Sequence, residues 1–177
     1  PDAIIDCYEP DRETFALLEK NIRENNLNNV KAINKAVSGE VGELEFYSFW
    51  DMQGGPGNSL EKSQATFDNI NAYKVPVTAL SAEKYDYIDF LKIDIEWSEG
   101  KVFQKKKKNN LINKIDRISL EYHYDPEIAE NKFSDILAIF EKYDMETIIN
   151  INTLVTIYVD DHEFKKWNNK YVLMLDA

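Results

Sequence analysis

Two stretches of the chain share one design: Ile88-Asp89-Phe90-Leu91-Lys92-Ile93-Asp94-Ile95-Glu96 and Ile115-Asp116-Arg117-Ile118-Ser119-Leu120-Glu121-Tyr122-His123. Each is an apolar, β-favouring run closed by acids, and each leads into residues at helical spacing: Val102 and Phe103 after the first, Phe133, Ile136, Leu137 and Phe140 after the second. The same pattern opens the chain. Ile4 to Asp11 reads as a strand, and Phe15, Leu18 and Ile22 mark an amphipathic helix from Arg12 to Asn25. Asn25 to Asn29 has turn chemistry, and Val30 to Val37 is the next strand. A strand that passes through a helix to another strand of the same sheet pairs in parallel, with a right-handed crossover.

The remaining segments are less regular. Gly39 to Gly42 form a turn into Leu44-Glu45-Phe46-Tyr47. Asp51 to Ser63, containing Gly54-Gly55-Pro56-Gly57, has no apolar period and reads as a mobile loop. Val75 to Leu80 is extended, but Pro76 limits it to an edge strand or a crossing segment. Met145 to Asn152, Leu154 to Val159 and Tyr171 to Leu175 are β-rich and predict an antiparallel hairpin at the end. The expected architecture is an α/β sandwich, a mostly parallel sheet covered on both faces, in one domain over residues 1–177.

Charge narrows the partners. Twenty-one basic and 32 acidic residues give a net charge of −11, which repels a polyanion, so nucleic acid is not an expected substrate. Cys7 is the single cysteine, which fits a reducing compartment and no structural zinc. No apolar run approaches the roughly 18 residues of a membrane span and no signal peptide opens the chain, so the expected location is cytoplasmic, with no membrane partner. Lys105 to Lys108 is the one charge run, read as a solvated helix face.

In open α/β sheets ligands bind beyond the carboxyl ends of the strands, and the acids fall there. Glu9 follows the first strand, Asp94 and Glu96 the central one, Glu121 and His123 the next, so four carboxylates and an imidazole could share one crevice. The bland alternative is that such acids cap the helices that follow. A carboxylate placed like Glu9 can accept from both hydroxyls of a ribose, and Pro10 and Asp11 already suit the helix start. Asp94 and Glu96, two apart, share one face of an undistorted strand. Asp94 is the favoured proton acceptor, with His123 second; His162 lies in an acidic loop and is not favoured. Asp94, Glu96 and Glu121 offer oxygens for a hard cation, but no metal motif supports one and no metal ligand is assigned. Neither GxGxxG nor GxxxxGK[ST] occurs, which disfavours a nicotinamide oxidoreductase and a triphosphate site.

Glu9-Pro10-Asp11, the helix with Phe15, Leu18 and Asn21, then Asn25-Asn26-Leu27, Asn34-Lys35-Ala36-Val37-Ser38, Leu91 to Glu96 and Leu120-Glu121-Tyr122-His123 together resemble the FkbM family of methyltransferases in order and spacing. The resemblance implies a class I, Rossmann-like methyltransferase fold, S-adenosylmethionine as methyl donor, and O-methylation of a hydroxyl on a small molecule or sugar. It also implies site roles: Glu9 on the ribose, Asn34, Lys35 and Ala36 beside the adenine, Asp94 and Glu96 near the methionine end and the acceptor, and Glu121 and His123 in the same catalytic group.

Two departures stand out. The family's Asp-x-Glu-Gly-x-Glu block reads Asp94-Ile95-Glu96-Trp97-Ser98-Glu99 here, and a bulky indole argues against the turn that the glycine would make. The glycine-rich loop after the family's first strand is absent. The expected explanation is that Pro1 to Asp6 begins that first strand, Cys7-Tyr8-Glu9 ends the second, and a segment is missing between Asp6 and Cys7. On that reading Asp6 is the acid near the cofactor's amino group. Two other classes stay open: a binding module that keeps the fold without a complete cofactor site, separable by adenosylmethionine binding, and a metal-assisted hydrolase, separable by Mg²⁺ dependence. Tyr47, Phe49, Trp50 and Trp97 are candidate sugar-stacking residues, although such aromatics more often pack. Oligomeric state is open.

Overall fold

Strand β1 (Ile5–Tyr8) leads through Glu9 and Pro10 into helix α1 (Arg12–Glu24), and β2 (Val30–Ile33) returns parallel to β1, so the opening strand-helix-strand pattern folds as its periodicity requires. Described in this computed structural model are residues 3–49, 58–62, 70–82, 85–103, 111–124, 128 and 131–149. Phe15, Leu18 and Ile22 supply the half-buried stripe of α1. The helix stops in a Schellman turn: Asn26 takes φ +53°, its N–H donates to Arg23 O, and Leu27 N–H donates to Ile22 O.

The second strand expected from the sequence, Val30 to Val37, divides in two. β2 ends at Ile33, and β3 (Ala36–Ser38) pairs in parallel with β5 (Ile70–Ala79) in a different sheet. The break has a local cause. Lys35 N–H turns back to Ile33 O, and the Asn34 amide leaves the strand to donate to the carbonyls of Glu9 and Pro10. β4 (Gly42–Phe49) pairs antiparallel with β5, so β5 lies between β3 and β4. Pro76 therefore sits in a central strand, not the expected edge. β3 pairs only with Val77 to Ala79, so at Pro76 itself β5 has β4 alone as a ladder partner, and a missing N–H is tolerated where one side is unpaired.

β6 (Ile88–Ile93) and β7 (Ile115–Leu120) form a third parallel pair, followed by α2 (Glu99–Phe103) and α3 (Phe133–Lys142) respectively. Val102 and Phe103 are buried as expected, with Phe103 edge-on to Phe140 of α3 at 5.3 Å. Ile93, Ile115, Ile136 and Leu137 complete the main core, while Phe46, Val75 and Val77 form a smaller core on the β3-β5-β4 sheet. α3 ends in the same device as α1. Asp144 takes φ +58°, its N–H donates to Glu141 O, and Met145 N–H donates to Phe140 O.

Asp6 and Cys7, expected to belong to two strands, are consecutive positions of one, β1, paired in unbroken register with Lys31 and Ala32. Among the described residues the sheets are β1-β2, β3-β5-β4 and β6-β7. The expected hairpin over Leu154 to Val159 and Tyr171 to Leu175, the lysine run 105–108, the glycine run 54–57, Trp50 and His162 lie outside them. Residues 145–149 hold no strand beyond a single bridge at Ile149.

Candidate functional site

Because β6 and β7 run parallel, their carboxyl ends lie side by side, and Glu121 N–H continues the ladder to Ile93 O at 2.9 Å. That register carries Asp94, Glu96, Glu121 and His123 to one place, as their positions at two strand ends predict. His123 Nε2 lies 3.3 Å from Glu96 Oε2 and 3.9 Å from Glu121 Oε1. One donor atom each from Asp94, Glu96 and His123 lies within 4.8 Å of the others. Asp94 is exposed and has Lys92 Nζ at 3.6 Å, while Glu96 and His123 are half-buried. Positive charge thus already reaches this group from Lys92 and, when protonated, from His123.

Asp94 and Glu96 do not meet on the face of an undistorted strand. β6 ends at Ile93, and Glu96 and Trp97 both take left-handed φ, +50° and +74°. The turn that the indole argued against does form, because its neighbours over-determine it. Ser59 Oγ donates to Glu96 O at 2.6 Å, Trp97 N–H donates to Glu99 Oε1 at 3.1 Å, and Ser98 Oγ donates to Glu61 Oε1 at 3.2 Å. Lys101 Nζ also pairs with Glu61. The Trp97 ring stands 5.4 Å from the His123 ring, tilted 49°.

Sequence reasoning missed the partner that matters most to His123. Glu99 is fully buried, with 0% exposure, and His123 Nδ1 lies 2.8 Å from its Oε1. Asn131, 1% exposed, donates from Nδ2 to Glu99 Oε2 at 3.0 Å and to His123 O at 2.8 Å, and its Oδ1 accepts from Gly100 N–H. Burial alone would lower the His123 pKa, but the hydrogen bond and charge of Glu99, with the charges of Glu96 and Asp94, hold it above the ordinary imidazole value. Glu99 was visible as the last acid of the Asp-x-Glu-x-x-Glu block, whereas Asn131 sits in a stretch with no periodic signal.

At the end of β1 the two readings of Glu9 separate. The cap of α1 is Asp11, whose Oδ1 accepts from Glu13 N–H and Thr14 N–H while its Oδ2 accepts from Tyr73 at 2.6 Å. Glu9 Oε1 accepts from Asp11 N–H at 2.8 Å, and its carboxyl is half-buried. Burial raises its pKa, the Asp11 N–H lowers it and the Asp11 charge adds a smaller rise, leaving it above the ordinary range. Asn34 holds the Glu9-Pro10 turn through its amide, and Ala36 is packed into the small core beside Phe46. Lys35 lies between β2 and β3. Tyr8 and Ile95, neighbours of Glu9 and Glu96, pack on the same main core.

Asp6 stands elsewhere. It lies inside β1, and its Oδ2 accepts from the Tyr85 hydroxyl at 2.7 Å, which is also 2.7 Å from the Tyr8 hydroxyl. It therefore does not close a separate first strand, which was the ground for placing it at the cofactor's amino group.

In open α/β sheets ligands bind beyond the carboxyl ends of the strands, and the carboxylate and imidazole cluster lies at that end of β6 and β7. The chain is a member of the FkbM methyltransferase family: the model described as Methyltransferase FkbM domain matches residues 7–146. No curated protein and no solved structure matches it. Among the described residues no helix is long and apolar enough to cross a membrane.

Proposed function

We propose that this single-domain protein is an S-adenosylmethionine-dependent O-methyltransferase of class I, Rossmann-like architecture, acting on a hydroxyl of a small molecule or sugar in the cytoplasm. The observation that carries the reading is the gathering of Asp94, Glu96, Glu121 and His123 beyond β6 and β7 within a chain of the FkbM family.

The adenosine half of the donor fits the residues present. Glu9 is not used as the helix cap, and a half-buried carboxylate gains from the two hydroxyl donors of a ribose. Asn34 fixes the turn that presents it. For the methionine half the described residues offer no glycine-rich strand-to-helix loop, and no role is assigned there. When bound, the donor supplies an electrophilic methyl on a sulfonium.

His123 is the better proton acceptor on geometry, although the sequence favours Asp94. Asp94 is exposed beside Lys92, whereas His123 is held from behind by Glu99. His123 Nε2 would take the acceptor hydroxyl's proton while the methyl left the donor sulfur, released as the neutral thioether, for the acceptor oxygen, and Glu96 and Glu121 would stabilise the imidazolium formed. Their negative charge also favours a cationic donor. Trp97, beside the imidazole, offers a flat apolar surface to the acceptor.

The test is formation of S-adenosylhomocysteine from S-adenosylmethionine across a panel of sugars and small hydroxyl compounds. Turnover with at least one acceptor, falling roughly 10²–10⁴-fold in His123→Gln, is expected. Donor binding with no turnover on any acceptor favours the non-catalytic binding module.

A further inference from the structure

We infer that Glu99, with Asn131, is a positioning residue for the reaction: it fixes the His123 ring so that Nδ1–H points into the protein and Nε2 is the nitrogen that meets the acceptor. This deepens the proposed methyltransferase reading and rests on it for its catalytic meaning, but the geometry can be tested without any donor.

Glu99 Oε1 and Oε2 together receive the Trp97 N–H, the Asn131 amide and His123 Nδ1, at 3.1, 3.0 and 2.8 Å. A fully buried carboxylate is tolerable only when its oxygens are satisfied by donors. Glu99 serves the Trp97 N–H and the Asn131 amide as an acceptor, and the same role toward His123 puts the ring hydrogen on Nδ1, which in the neutral ring leaves the lone pair on Nε2. Nε2 is the atom that faces Glu96 and Glu121. Asn131 locks the arrangement twice, by holding the other oxygen of Glu99 and by holding the His123 carbonyl. The Tyr122 hydroxyl in turn donates to Asn131 O at 2.5 Å. Every element around the ring contributes a charged or titratable group: Asp94 and Glu96 after β6, Glu99 on α2, Glu121 after β7.

The chain has two histidines, so imidazole nitrogen resonances of uniformly ¹⁵N-labelled protein can be assigned with a His162→Gln variant. In the otherwise native protein above the His123 titration midpoint, the neutral ring is expected as the Nδ1–H tautomer; an Nε2–H tautomer overturns the inference. In Glu99→Gln the midpoint is expected to move down and the tautomer to become mixed. Acceptor turnover is expected to fall on the order of 10²-fold with the acceptor's KM little changed, and Glu99→Asp to restore part of it. An unchanged midpoint and tautomer in folded Glu99→Gln also overturn it. Failure to bind S-adenosylmethionine, by contrast, would leave the tautomer result intact and count against the methyltransferase reading alone.

Discussion

His123 Nε2 lies 3.3 Å from Glu96 Oε2 while His123 Nδ1 lies 2.8 Å from Glu99 Oε1, so one imidazole bridges a half-buried carboxylate and a fully buried one. Both contacts favour the imidazolium, and its folded pKa stands above about 6.5, the value expected when unfolded. A raised folded pKa means that folding takes up a proton. The stabilisation is full below the unfolded value and is lost as pH rises through the folded one. The melting temperature of native protein should therefore fall as pH rises across that window, and His123→Gln should flatten the slope. Since a base must first lose its proton, methyl transfer should rise over the same window. A melting temperature independent of pH from 6 to 9 would contradict this assignment.

Trp97 holds φ +74°, where a β-carbon is disfavoured. Truncation to alanine removes the indole and keeps the strain, while truncation to glycine removes both. Trp97→Gly should be more stable than Trp97→Ala by about 1–2 kcal/mol in denaturant melts, the reverse of the usual order for these residues. Equal stabilities would mean that the turn is not left-handed at this residue.

Gly39, just past β3, approaches α2 so closely that a β-carbon there would stand 2.5 Å from the backbone oxygen of Lys101. Gly39→Ala must push α2 away, with an expected loss of roughly 1–3 kcal/mol. Glu99 begins the same helix, so the His123 titration midpoint should move as well. Stability loss with an unmoved midpoint would show that α2 shifts without carrying Glu99.

Asp11 and Glu9, two residues apart, divide stability from ligand binding. Asp11 caps α1 and holds the Tyr73 hydroxyl, and although burial opposes it, these donors keep its pKa below the ordinary range. Its contribution is present above about pH 3.9 and is lost as pH falls through the lowered value. Asp11→Ala should cost roughly 1–2 kcal/mol by thermal melt, whereas Glu9→Ala should cost less and act on donor affinity. The reverse pattern would make Glu9 a structural residue.

The parallel pairs β1-β2 and β6-β7, α1, and the meeting of Asp94, Glu96, Glu121 and His123 were legible because apolar period and strand-end position encode them locally. The division of Val30 to Val37 was not, because it depends on the Asn34 amide reaching the Glu9-Pro10 turn, 24 and 25 residues earlier. Pro76 misled for a related reason: β5 changes from one ladder partner to two at the next residue, and no local pattern records that. Asp6 and Cys7 read as parts of two strands because the family resemblance likens Pro1 to Asp6 to a first strand and Cys7 to Glu9 to the end of a second, yet they share one. Glu99 showed in the sequence only as the last acid of the Asp94 to Glu99 block, because the partner that closes over it, Asn131, lies 32 residues later.

The account stands most directly on whether Glu9 anchors adenosine. Calorimetric titration of S-adenosylmethionine and S-adenosylhomocysteine into native protein and folded Glu9→Ala should show binding to the first and loss of most of it in the second. Absence of binding to folded native protein would contradict the methyltransferase reading and leave the binding-module alternative, while equal affinity in both proteins would remove Glu9 from the site.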